Sequence, residues 1–111
     1  MINNSAYGGF IVSKNVIKGI KILYSYREKS LKKELNGWTI MSENDDDEYA
    51  SDPKNFVIVT AETLFKFAPV MEEIFDAPYG TDLYWKYIDG TLIGFYDLVN
   101  EKDVSIEEIL N

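Results

Sequence analysis

The chain has 111 residues, with 11 lysines and arginines against 19 aspartates and glutamates, for a formal charge of −8. That length suits one domain with a real core, and a hydrophobic fraction of 46% argues against disorder. Cysteine and histidine are both absent, which excludes disulfides, thiolate nucleophiles, the usual zinc sites and the commonest general base near neutral pH.

The negative charge disfavours nucleic acid, whose phosphates demand cationic contacts, and anionic membrane surfaces. It favours a basic protein partner, or serves solubility alone. The start, Met1 to Phe10, lacks a basic region followed by an apolar stretch, so no secretory leader is expected. No apolar run reaches the length of a membrane span. A soluble cytoplasmic protein is the expectation.

In chain order, Phe10–Ser13 reads as a short strand after Gly8-Gly9, and residues 14–19 as a connection in which Gly19 suits a left-handed turn position. Residues 20–27 alternate: Ile20, Ile22, Tyr24 and Tyr26 face one way, Lys21, Ser25 and Arg27 the other, with Leu23 breaking the pattern. Such alternation predicts a half-buried strand. Residues 28–37 read as a linker or a single helical turn. Gly37 then releases a strand from Trp38 to Ser42, with Trp38, Ile40 and Ser42 on one face and Thr39 and Met41 on the other. After an acidic segment, Asp52-Pro53 marks a turn, and the apolar run Phe56–Val59 predicts a central strand covered on both faces.

Thr60 is a candidate N-cap, followed by helical spacing of Leu64, Phe67, Ala68, Met71 and Ile74 or Phe75. Pro69 interrupts it, predicting two short helices or one kinked helix over 61–75. Asp89-Gly90 is the preferred pair for a type I′ hairpin, which sets Ile88 opposite Thr91 and Trp85 opposite Gly94. Ser105 with Glu108 forms a capping-box pattern before a last helix. These elements predict an α+β fold in a single domain over 1–111: a mostly antiparallel sheet, a short or kinked central helix and a C-terminal β-hairpin.

The segment from Glu43 to Asp52 holds six acids, and no lysine or arginine follows them until Lys54. A calcium loop alternates its ligands and turns on a glycine; here Asp45, Asp46, Asp47 and Glu48 are consecutive and no glycine follows. No dedicated metal site is expected. Acid–base catalysis by paired carboxylates needs two different environments, which an exposed run does not offer. No phosphate-binding motif is present, and Lys29, Lys32 and Lys33 sit near Glu28 and Glu34, a mixed pattern that reads as a solvated face. The expectation is therefore no catalytic residue, no cofactor and no enzyme.

A protein-binding surface remains, with Trp38, Glu43, Asp45, Asp46, Asp47, Glu48, Tyr49 and Asp52 as its candidate residues. Aromatic anchors would supply binding energy and the acids association rate. The bland readings stand beside this one: Trp38 and Trp85 as core, Tyr49 folded back, and the acids as a solvated connection. A different class of function is a small-ligand or regulatory pocket lined by Tyr24, Tyr26, Trp38 and Trp85.

Four pieces of the sequence carry a resemblance: Gly37-Trp38, Ser42-Glu43, Asp47-Glu48-Tyr49 and Asp52-Pro53-Lys54-Asn55. Residues 8–19 and the Ala77-Pro78-Tyr79-Gly80 run add to it. Together they resemble a bacterial domain family grouped with the immunity proteins of polymorphic toxin systems, the thirty-third class of these and formerly a domain of unknown function. One departure is Glu43-Asn44, where the family pattern has a glycine soon after the serine; Asn44 tolerates a left-handed backbone better than most residues. The resemblance implies an antitoxin-like binder, and the leading expectation is a non-catalytic protein that blocks a toxin by covering its active site or substrate surface. Its acidity agrees with a basic toxin.

Overall fold

The computed structural model describes residues 7–111; the expectation about a leader falls mostly on residues 1–6, outside that range. Its frame is a seven-stranded sheet. The strands are β1 (Gly9–Ser13), β2 (Ile22–Arg27), β3 (Leu35–Ser42), β4 (Phe56–Val59), β5 (Asp82–Ile88), β6 (Thr91–Asp97) and β7 (Lys102–Val104). They lie in the order β4-β1-β3-β2-β5-β6-β7. Every neighbouring pair is antiparallel except β1 and β3, so the α+β, mostly antiparallel expectation holds.

Short helices α1 (Lys14–Ile17), α3 (Ala61–Phe67), α4 (Val70–Ile74) and α5 (Ile106–Leu110) contribute apolar side chains to one face of this sheet. Phe10, Val12, Ile22, Trp38, Ile40, Leu83, Trp85 and Phe95 meet Leu64, Phe65, Met71, Ile74 and Ile109 there. Helix α2 (Asp47–Ala50) and a 3-10 turn (Pro53–Asn55) lie in the β3–β4 connection. Pro69 divides α3 from α4, as its missing N–H requires. Thr60 caps α3 and Ser105 closes a capping box on α5.

Three expectations are corrected. β4 is an edge strand, not a central one: among the described residues it pairs only with β1, and Ile58 is 64% exposed. An apolar run is equally compatible with an edge whose outer residues stay bare. The face assignment of 20–27 is also reversed for the tyrosines. A register shift between Ile22 and Tyr24 in the β2–β3 pairing puts Ser25 beside Ile40 and Arg27 beside Trp38, on the helix-covered face. Tyr24 and Tyr26 therefore point to the outer face, beside Met41 and Thr39. In the hairpin, Asp89 (φ 49) and Gly90 (φ 78) make the tight turn, and Ile88 does face Thr91. A second register shift between Lys86 and Tyr87 then sets Trp85 opposite Phe95 and gives Gly94 to Lys86.

Buried polar groups are matched on the covered face. The Trp85 indole donates to Ser25 Oγ at 2.7 Å, and the Trp38 indole donates to the Phe75 carbonyl at 3.0 Å. Arg27 donates to the carbonyls of Asn36, Phe75 and Ala77. These bonds tie the end of α4 to β2 and β3. Among the described residues no helix is long and apolar enough to cross a membrane.

Candidate protein-binding surface

The acidic segment is a built structure rather than a loose connection. It carries the chain from the end of β3 to β4, and β1 lies between those two strands. Asp45 pins it at the near end: its carboxylate accepts from the Ser42 N–H at 2.8 Å, from Ser42 Oγ at 2.7 Å and from Asn15 Nδ2 at 2.9 Å. Burial alone would push this carboxyl up. The hydrogen bonds from Ser42, Ser13 and Asn15 outweigh it and hold the group below its ordinary value.

Asp46 is the N-cap of α2, accepting from the Tyr49 N–H at 2.8 Å. Asp47 and Glu48 occupy the first turn, where the helix dipole favours acids. Asp52 caps the 3-10 turn, with Pro53 at its start. Asn55 reaches back to the Tyr49 carbonyl at 3.0 Å, and the Tyr49 ring tilts against Phe56. Asp45, Asp46 and Asp52 thus hold the turns that display Asp47 and Glu48.

Besides Asp45, which is tied into the turn, the candidate residues fall into four groups. Asp46, Asp47, Glu48 and Asp52 are exposed, and among the described residues none has a lysine or arginine within ion-pair distance. Glu43 is drawn away from them: it pairs with Lys21 at 3.5 Å, and Lys21 sits over the Tyr87 ring. Burial, aided by the Glu43 charge, pushes the Tyr87 phenol up to about 12. Trp38 is the third case. It is completely buried under the helices and presents no surface to a partner. Tyr49 is half-buried.

Sequence reasoning missed the neighbouring outer face. Tyr24, Tyr84 and Tyr96 stand in register across β2, β5 and β6, the first two rings meeting edge to face at 5.7 Å. Toward β4 a groove of about 480 Å³ is floored by Ile11, Tyr26 and Thr39 and walled by Ala50, Pro53 and Ile58. The alternation of β2 could have indicated this face, had Leu23 been read as the mark of a register shift. The four aromatics of the small-ligand reading do not share a cavity: Tyr24 and Tyr26 lie on the outer face, Trp38 and Trp85 on the covered one. Among the described residues no three acids gather as metal ligands would.

The model of the immunity protein Imm33 domain matches residues 10–95. The chain belongs to the Imm33 immunity-protein family. No curated protein and no solved structure matches it. The Imm33 match runs from Phe10 in β1 to Phe95 in β6 and so includes the whole acidic segment; β7 and α5 lie beyond it. Membership of the Imm33 family points to toxin neutralisation and a toxin protein as partner.

Proposed function

We propose that this Imm33 protein is a non-catalytic inhibitor of a basic toxin and that the acidic turn, Glu43 to Asp52, is its charged contact. The observation that carries this is the fixed display of Asp46, Asp47, Glu48 and Asp52, exposed and without cationic partners among the described residues. Capping bonds hold these turns before any partner arrives, so little ordering entropy opposes binding there. The turn alone is too small for a stable complex, which needs roughly 800 Å² from each partner. The adjoining outer face, with Tyr24, Tyr26, Tyr84 and Tyr96, supplies aromatic area beside the charge.

Inhibition then follows from coverage: a basic active site or substrate surface is occluded by an acidic, aromatic one. Hydrogen exchange with the cognate toxin as probe tests the placement. Protection of amides in 43–58 and in β2 on complex formation is the expected result. Protection confined to α3, α4 and α5 would move the contact to the opposite face.

A further inference from the structure

The two edges of the sheet are guarded unequally. β7 is three residues long, carries Lys102 and Asp103, and follows Glu101 at φ 56. Charge, brevity and irregular backbone are the usual means of blunting an edge. β4, Phe56-Val57-Ile58-Val59, has neither charge nor proline, and Ile58 is largely bare.

The backbone of β4 has a definite polarity. The Gly9 N–H donates to the Glu34 carbonyl, toward β3. Alternation therefore turns the polar groups of Phe10 and Val12 toward β4, where they face Val59 and Val57. An independent bond agrees: the Phe56 N–H closes on the Pro53 carbonyl instead of on β1. The N–H and C=O of Ile58, the C=O of Phe56 and the N–H of Thr60 are left pointing away from the sheet.

We propose that β4 is a self-association edge, and that a second copy of this chain pairs with it antiparallel about a two-fold axis at Ile58. An antiparallel strand pair centred on one residue makes that residue exchange two hydrogen bonds with its own image. Ile58 has both groups outward, as this requires. The next positions also match: the Phe56 C=O of each copy meets the Thr60 N–H of the other. The ends are complementary in charge, since Lys54 precedes the strand and Glu62 follows it, and antiparallel pairing brings the Lys54 end of one copy beside the Glu62 end of the other. A four-residue strand makes few bonds, so the dimer is weak and concentration-dependent. The inference does not depend on the toxin contact.

Sedimentation equilibrium of the full chain, from micromolar to millimolar at physiological salt, is the test. The expected result is a mass rising from that of the 12.8 kDa monomer toward its double. Ile58→Lys places two like charges at the axis, and Ile58→Pro removes the outward N–H without touching the β1 ladder; both should abolish the rise, while Ile58→Val keeps it. Circular dichroism checks that each variant folds. Should neither Ile58 variant fold, Lys54→Glu decides, with a several-fold weaker dimer expected. Wild-type chain that stays monomeric throughout overturns the proposal and leaves the edge to a strand from another protein. A dimer unaffected by folded Ile58 variants, or by Lys54→Glu, overturns it as well.

Discussion

Arg27 is a charged residue used as a structural clamp. Among the described residues it has no acidic partner; its donors go to three backbone carbonyls at 2.8 to 3.0 Å, and its guanidinium lies over the rings of Tyr79 and Phe75. A lysine cannot reproduce that planar fork. Arg27→Lys should cost about 2 kcal/mol, read as a lower urea midpoint at unchanged slope; an unchanged midpoint would show the clamp to be idle. Asp45 is the second such residue. Its carboxyl is held low in the folded protein against an ordinary value of 3.8. A depressed folded value means a contribution fully present above the unfolded value and lost as pH falls through the folded one. Asp45→Asn should therefore destabilise the protein by about 1–2 kcal/mol at neutral pH and flatten the acid limb of its stability profile below about pH 4. Parallel acid limbs in the two proteins would contradict this. Neither role is legible in the sequence. Arginine and aspartate are surface residues by habit, and no local pattern tells that the end of α4 offers carbonyls to Arg27 or that Asn15 lies beside Asp45.

Two glycines separate conformational cost from steric cost within the strands and turns. Gly90 has φ 78 in the β5–β6 hairpin, and a Cβ built there meets nothing within 4 Å. Gly90→Val should cost about 1 kcal/mol or a little more, because a β-branched residue resists positive φ. Gly37 has φ 91 inside β3, and a Cβ there would collide with the backbone carbonyl of Glu28. Gly37→Ala combines both penalties and should cost over about 3 kcal/mol or leave no folded protein. Thermal unfolding of the two variants side by side gives the comparison, and a less stable Gly90 variant would contradict it. The turn pair Asp89-Gly90 was legible because its chemistry is local. The pairing beyond it was not: the shift between Lys86 and Tyr87 that moves Trp85 from Gly94 to Phe95 has no turn residue to announce it. Helices α1 and α2 were missed for a related reason. One turn of four residues has no periodicity to read, and only the caps Ser13 and Asp46 mark them. β7, three residues of mixed charge, carries no strand pattern either.

For the whole molecule, net charge was legible from composition, whereas its placement had to wait for the fold. Of the six acids between Glu43 and Asp52, Asp45 is consumed in pinning the turn and Glu43 in pairing with Lys21. A charge test of the toxin contact must therefore spare both. The informative variant is Asp46→Asn, Asp47→Asn and Glu48→Gln together: asparagine still caps α2 at position 46, so the turn survives while three charges vanish. Charges at the rim of an interface act mainly on the association rate, and salt limits their reach to about 8 Å at physiological ionic strength. Against the cognate toxin, the triple variant should associate several-fold more slowly at low salt, approach the wild-type rate as salt rises, and dissociate nearly as before. Tyr49→Ala is a less clean probe, because its ring and backbone support the turn through Phe56 and Asn55. If the triple variant associates at the wild-type rate at low salt, the acids serve only to build the β3–β4 connection. A toxin contact on the outer face would then rest on its tyrosines, and Tyr24→Ala and Tyr84→Ala would raise the dissociation rate in its place.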